Sequence, residues 1–259
     1  MLPYSKNGHT RRKFIINVST AALGSMLLGS GANAKQEDEK RKDMNTKRAA
    51  GKLGIALVGL GKYSGGQLAP ALQKTEHCFL AGIVTGTPEK AMDWKSKYNI
   101  PDGNIYNYEN FASIKDNPAI DIIYVVLPNA LHAEYVIKAA EAGKHVICEK
   151  PMAINVEDCD RMIEACKKAG VMLSIGYRLH FEPHTREMIR LSEEKVFGNV
   201  KRIIAKDGMS QVEGWRLDKT LAGGGPLMDV GIYCVQGACY TSGMEPIAVR
   251  AKEGEKTKP

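Results

Sequence analysis

Five short apolar runs alternate with stretches of helical period, and few folds accommodate that alternation. Leu53-Gly54-Ile55-Ala56-Leu57-Val58 reads as a buried strand, followed by a glycine-rich turn and a helix through Leu68 and Leu72. Phe79 to Val84 reads as a second strand, and Pro88 opens a helix reaching Tyr98. Asp121 to Leu127 is a third strand; Leu131 to Ala142 has helical period and ends at Gly143. His145 to Cys148, a helix from Val156 to Ala169 closed by Gly170, and a strand from Val171 to Ile175 complete the series. Strands that are apolar on both faces and separated by helices make a parallel, doubly wound α/β sheet. After Gly176 the rhythm changes. A helix over Glu182 to Glu194, a strand over Val200 to Lys206, a helix over Met228 to Tyr240 and a strand over Ile247 to Ala251 open an incomplete α+β second domain.

Composition excludes other classes. With 259 residues, 44% hydrophobic and 25% charged, the chain is neither disordered nor a disulfide miniprotein. No run of 18 purely apolar residues is present, which argues against a membrane span. The net charge of +7 falls to +3 beyond residue 34, where 32 Lys and Arg face 29 Asp and Glu. The basic excess therefore belongs to the N-terminus, and a nucleic-acid partner is not expected. Thr10-Arg11-Arg12-Lys13-Phe14, an apolar stretch to Leu28, and Ala32-Asn33-Ala34 describe a twin-arginine signal peptide over residues 1–34. That address implies export in the folded state to the periplasm, with no stable span after cleavage. Residues 35–50 then read as a charged, mobile linker. Six cysteines make no CxxC and no metal spacing; Cys78 and Cys148 lie within apolar strands as small hydrophobes.

Three motifs carry chemistry. Gly59-Leu60-Gly61-Lys62-Tyr63-Ser64 lies between the first strand and its helix, where two glycines let the backbone approach a pyrophosphate. Ser64 stands where a third glycine is usual. Such turns also serve as plain connections, and the strand–turn–helix setting is what suggests a dinucleotide. At the end of the second strand, Thr85-Gly86-Thr87-Pro88-Glu89-Lys90 has no acid at 85 or 86 to repel a ribose 2′-phosphate. Thr85 and Lys90 can meet that phosphate, so NADP is favoured over NAD, although a polar helix cap has the same letters. Glu149-Lys150-Pro151 follows the fourth strand at the ligand-binding edge, where a lysine can shuttle protons; Pro151 is a candidate for a cis bond. In the run Gly223 through Tyr233, Pro226 starts a helix that places Asp229 and Tyr233 on one face. A carboxylate and a phenol so placed can bind a polyol, with Lys150 as the cation that activates the phenol. A capping Asp and a half-buried Tyr on an amphipathic helix would look the same.

These motifs, with Leu127-Pro128-Asn129-Ala130-Leu131-His132-Ala133-Glu134, Gly176-Tyr177-Arg178 and Trp215-Arg216-Leu217, resemble the Gfo/Idh/MocA oxidoreductases. Tyrosine at 233, where many members carry histidine, narrows the resemblance to the glucose–fructose oxidoreductase branch. It implies a Rossmann domain over 51–174 binding NADP and a partial substrate and oligomerisation domain over 175–259. Only 84 residues follow Ile175, so the open sheet of that second domain is expected to be largely missing. The resemblance assigns Lys150 and Tyr233 as the proton-transfer pair and Asp229 as the substrate-orienting carboxylate. It assigns cofactor contacts to Gly59, Gly61, Lys62, Tyr63, Thr85 and Lys90, and also to Pro128, Asn129, His132, Glu149, Lys150, Tyr177 and Arg178. Trp215 and Arg216 join Lys150, Asp229 and Tyr233 around the substrate; no metal is implied. The implied activity is hydride transfer from C1 of an aldose to tightly bound NADP and on to a second carbonyl sugar. Full-length relatives are expected to be homo-oligomers. Two other readings stand beside it: an exported glycosidase using a bound dinucleotide, and an NADP-binding fragment without turnover.

Overall fold

Strands that are apolar on both faces need cover on both faces, and the structure supplies it. A computed structural model describes residues 31–252, with side chains from Ala34; the signal sequence expected before residue 31 lies outside the described residues. β1 (Leu53–Val58), β2 (Cys78–Val84), β3 (Ile105–Tyr106), β4 (Ile122–Val125), β5 (His145–Glu149) and β6 (Leu173–Gly176) form one parallel sheet. Their order is β3-β2-β1-β4-β5-β6, so the chain reverses its direction of winding between β1 and β4. In such sheets that reversal opens a crevice at the carboxyl ends of the strands. Ile55 and Leu57 of β1 pack with Leu80, Ile83 and Ile100 on one side. Ala56 and Val58 pack with Val84, Ile123, Val125 and Val136 on the other.

The connecting helices follow the apolar periodicity. α3 (Pro88–Tyr98), α4 (His132–Glu141) and α5 (Val156–Ala169) lie where the sequence places them. Asn155 caps α5 by accepting from the Asp158 amide at 2.7 Å, and Gly170 ends it in the left-handed region. β3 escapes sequence analysis because two residues are too few to show a period.

Residues 35–50 are not a linker. α1 spans Gly31–Ala49, and from Glu37 onward it belongs to the same compact unit as the sheet. Met44 is 5% exposed and sits in the core. Lys40, also buried, pairs with Glu37 at 3.0 Å and donates to the Ile100 carbonyl at 3.4 Å. Arg48 pairs with Asp121 at 2.7 Å, and the same carboxylate oxygen accepts from the Gly54 amide at 2.8 Å. Lysine and arginine stems pack while their charges stay paired, so the helix docks with a single large apolar side chain.

The remainder comprises α6 (Pro183–Glu193), α7 (Lys219–Ala222), a π-helical turn over Leu227–Gly231 and α8 (Ile232–Ser242), with α2 (Ala69–Leu72) completing the helix after β1. The strands expected over Val200 to Lys206 and Ile247 to Ala251 do not form; both stretches are irregular and open to solvent. A strand exists by pairing, and no described segment lies beside these two, so water takes their backbone groups. Among the described residues no helix is long and apolar enough to cross a membrane. Because Met44 is part of the core, Met44→Ala should lower unfolding free energy by about 2 kcal/mol or more. Chemical denaturation checks this, and an unchanged midpoint would return residues 37–49 to linker status.

Candidate active site

The turn after β1 is built by three residues. Gly59 has φ +92°, and a Cβ there would lie 2.4 Å from the Val126 carbonyl oxygen, so no other residue fits. Ser64 is fully buried and donates from Oγ to the Gly59 carbonyl at 2.6 Å, bracing the turn where a third glycine is usual. A Cβ on Gly61 would meet no atom within 4 Å, so the backbone here is open to an approaching anion at the start of a helical segment. Lys62 reaches from this turn to an exposed ion pair with Glu213. Tyr63 is half-buried; burial first, and then the Glu149 charge, pushes its phenol up to about 12. At the end of β2, Thr85 is buried and its Oγ1 accepts from the Thr87 amide at 3.2 Å, while Lys90 stands exposed in the first turn of α3. Thr85 thus shapes the turn, and the exposed Lys90 follows it in sequence with no ion pair among the described residues.

β5 delivers Glu149 and Lys150 to the same edge, and the Lys150–Pro151 peptide is cis, as the sequence suggested. The Lys150 amine donates to the Asp229 carbonyl oxygen and lies 3.3 Å from Asp229 Oδ1. Arg216 Nε donates to the other carboxylate oxygen at 2.6 Å while its guanidinium stacks on Trp215 at 4.6 Å. Burial opposes ionisation of Asp229, but the Arg216 bond and the Lys150 charge outweigh it and hold the carboxyl below its usual range. The Lys150 amine also sits 4.9 Å from the centre of the Tyr233 ring. Asp229 lies in the π-helical turn and Tyr233 in the first turn of α8, and both meet the Lys150 amine, as the expectation of one shared face requires.

Lys150 is a cation over the Tyr233 ring, and Arg178 is a second one whose charge favours the ionised phenol. Burial is the stronger influence and raises the phenol above its ordinary value. Tyr177 is half-buried against Gln236 of α8, a partner that sequence reasoning does not identify.

Besides Lys62, two buried residues assigned as cofactor contacts are engaged elsewhere. His132 is 1% exposed, with Nδ1 2.8 Å from the Pro151 carbonyl oxygen and Nε2 2.9 Å from that of Leu127. Its ring is turned into the protein and has no free nitrogen for a nucleotide. Asn129, 3% exposed, donates its amide to the Ala222 carbonyl at 2.9 Å and so fastens the sheet edge to α7. Pro128 is half-buried beside it. A residue missed from the sequence, Tyr124, donates to Glu149 Oε1 at 2.5 Å. The available signal is a polar-tipped aromatic inside an otherwise aliphatic strand, which needs a partner when buried. Gly176, paired with Glu149 in the β5–β6 register, leaves the necessary room: a Cβ there would lie 2.8 Å from Glu149 Oε1.

The fold and the glycine turn define a dinucleotide-binding α/β chain, and comparison with known proteins supplies the family. Residues 53–177 match the oxidoreductase family with an NAD-binding Rossmann fold, and residues 185–259 match the GFO/IDH/MocA C-terminal domain. The chain belongs to the Gfo/Idh/MocA oxidoreductase family. It is 35% identical over 203 residues to D-xylose 1-dehydrogenase [NADP(+)] of Haloarcula marismortui, covering 76% of this chain and 56% of that protein. It is 33% identical to trans-1,2-dihydrobenzene-1,2-diol dehydrogenase of Xenopus tropicalis, covering 70% of this chain and 54% of that one. Among solved structures, aldose-aldose oxidoreductase from Caulobacter crescentus complexed with glycerol is 48% identical with a TM-score of 0.74, covering 75% and 59% of the two chains. The chain therefore spans a little over half the length of these relatives.

Glu149 gives this site a pH signature. Burial first, against the Tyr124 bond and nearby cations, raises its carboxyl above the ordinary 4.5. Folding then favours the protonated acid, so that contribution is fully present below pH 4.5 and is lost as pH rises through the raised value. Glu149→Gln should raise Tm at pH 7, with the advantage over wild type shrinking as pH falls toward 4.5. A thermal melt series shows this, and an advantage independent of pH would place the effect elsewhere.

Proposed function

We propose that this chain is an NADP-dependent sugar oxidoreductase. It moves a hydride from C1 of an aldose to a tightly held nucleotide and on to a second carbonyl sugar. The observation that carries the reading is the convergence of Lys150, Asp229 and Tyr233 beside the open glycine turn. The names of the NADP-dependent xylose dehydrogenase and of the aldose-aldose enzyme support the substrate class.

The residues present fit the nucleotide. Gly59 makes the tight turn, Gly61 leaves its backbone open to a pyrophosphate, and Glu149 stands at the sheet edge. The end of β2 offers Lys90 and no acid, which suits a 2′-phosphate. The bound nicotinamide would supply the hydride acceptor and donor. Asp229, held ionised between Lys150 and Arg216, is an acceptor for sugar hydroxyls and fixes their orientation. Tyr233 carries the proton. Burial keeps its phenol protonated, ready to donate to a carbonyl oxygen in the reductive half. That donation leaves a phenolate, which in the oxidative half accepts the C1 hydroxyl proton and becomes phenol again, with the Arg178 charge and Lys150 over the ring offsetting its negative charge in between. One proton and one hydride taken from the first sugar are returned to the second, so the cycle needs no other reactant.

We place this cycle in the periplasm, reached in the folded state by the twin-arginine route that Arg11 and Arg12 suggest. A compartment without its own nucleotide supply favours an enzyme that carries its cofactor and regenerates it in place. Denaturing the purified chain should release NADP(H). Lys150→Met should cut aldose-plus-carbonyl turnover by at least about 10²-fold, with nucleotide still recovered on denaturation. A nucleotide-free preparation, or wild-type turnover in the variant, overturns the reading.

A further inference from the structure

His132 is buried, titratable and unused by the chemistry above, and it touches the residue next to the lysine that the chemistry needs. Its ring spans two turns at the carboxyl edge of the sheet. One is the Leu127 carbonyl after β4, at 2.9 Å; the other is the Pro151 carbonyl after β5, at 2.8 Å and one residue beyond Lys150. Both partners are acceptors, and a neutral imidazole has only one N–H to give. Burial outweighs the carbonyls of Pro151, Leu127 and Met152 and, helped by the Lys150 charge, holds this histidine below its ordinary pKa; its place at the first position of α4 disfavours a cation further. The ring is therefore neutral and serves one carbonyl.

The turn it touches is packed by Met152 and Ala153 but has few polar bonds: Pro151 has no N–H, and the Cys148 thiol reaches the Met152 carbonyl only at 3.9 Å. We propose that His132 is a positioning residue for Lys150: its Nδ1–H donates to the Pro151 carbonyl and holds the turn from which the lysine reaches Asp229 and Tyr233. The proposal rests on the reading of Lys150 as part of the proton-transfer machinery. It replaces the nucleotide contact that the motif containing His132 implied.

The two amide side chains separate this role from simple packing. The amide nitrogen of asparagine falls near the position of histidine Nδ1, and that of glutamine near Nε2. His132→Gln can donate only toward Leu127 and loses the bond to Pro151; His132→Asn can donate to Pro151 and restores it. In the full chain, His132→Gln should lower kcat by about 10- to 100-fold, the scale of an ångström of misplacement, with KM and nucleotide recovery little changed. His132→Asn should recover most of that loss. Equal kcat in the two variants, the opposite order, or a loss confined to KM or nucleotide content would overturn the proposal.

A second measurement does not depend on either variant folding. Long-range nitrogen–proton NMR of the wild-type chain should show Nδ1 of His132 protonated and Nε2 bare; a bare Nδ1 overturns the assignment whatever the kinetics. Failure of the underlying reading is seen separately, as undiminished turnover in Lys150→Met, and would remove the positioning role with it.

Discussion

One carboxylate, held between two cations, joins the two parts of this site. Asp229 is buried, and a buried carboxylate is tolerable only when its charge is met and its lone pairs are occupied. Lys150 comes from the end of β5 and Arg216 from the segment before α7, so the ion triad ties the sheet edge to the helical turn that carries Asp229. Losing one partner of such a buried pair costs about 3–5 kcal/mol in general; the partial exposure of Arg216 reduces its share. Tyr233 joins the same contact, because the Lys150 amine that meets Asp229 also lies over its ring. Orientation and electrostatics in this site are one constraint.

The fold was legible because parallel strands declare themselves. β1 and α5 appear in the structure with the bounds that apolar runs and glycine stops indicate, since nothing competes with burial on both faces. α1 was not legible. Its docked surface is one methionine and the stems of charged residues, so composition reads it as solvent-facing although Met44 and Lys40 are buried. Val200 to Lys206 and Ile247 to Ala251 failed for the opposite reason. Their β-branched residues suit a strand, but the strand also requires a neighbour that no described residue provides.

The site divides along the same line. Residue type and spacing brought Asp229 and Tyr233 to one face because a helix fixes that relation locally. His132 also follows a helix start, yet only tertiary structure decides whether its ring turns toward the crevice or inward, and it turns inward. Asn129 is similar: its amide is used on Ala222, a partner 93 positions away in sequence. Tyr124 and Gly176 come from neighbouring strands and meet only around the carboxylate of Glu149. Contacts of that range have no local period from which to be read.

Glu149 and Tyr233 show how the site gives up stability in favour of chemistry. Burial makes both less ready to ionise, and for Glu149 the ionised form weakens the fold. Stable apolar packing would serve a scaffold better at that edge, which points to a role for the carboxylate beyond stability. The phenol's burial is the more informative of the two. A group kept protonated before substrate arrives is matched to donating, and it becomes an acceptor only when positive charge is near its oxygen. Arg178 provides that charge from the exposed side of the site, where a bound ligand would exclude water and strengthen the interaction. The proposed oxidative half therefore depends on closure of the site over the sugar in a way that the reductive half does not. The two directions of one hydride transfer need not share a slow step.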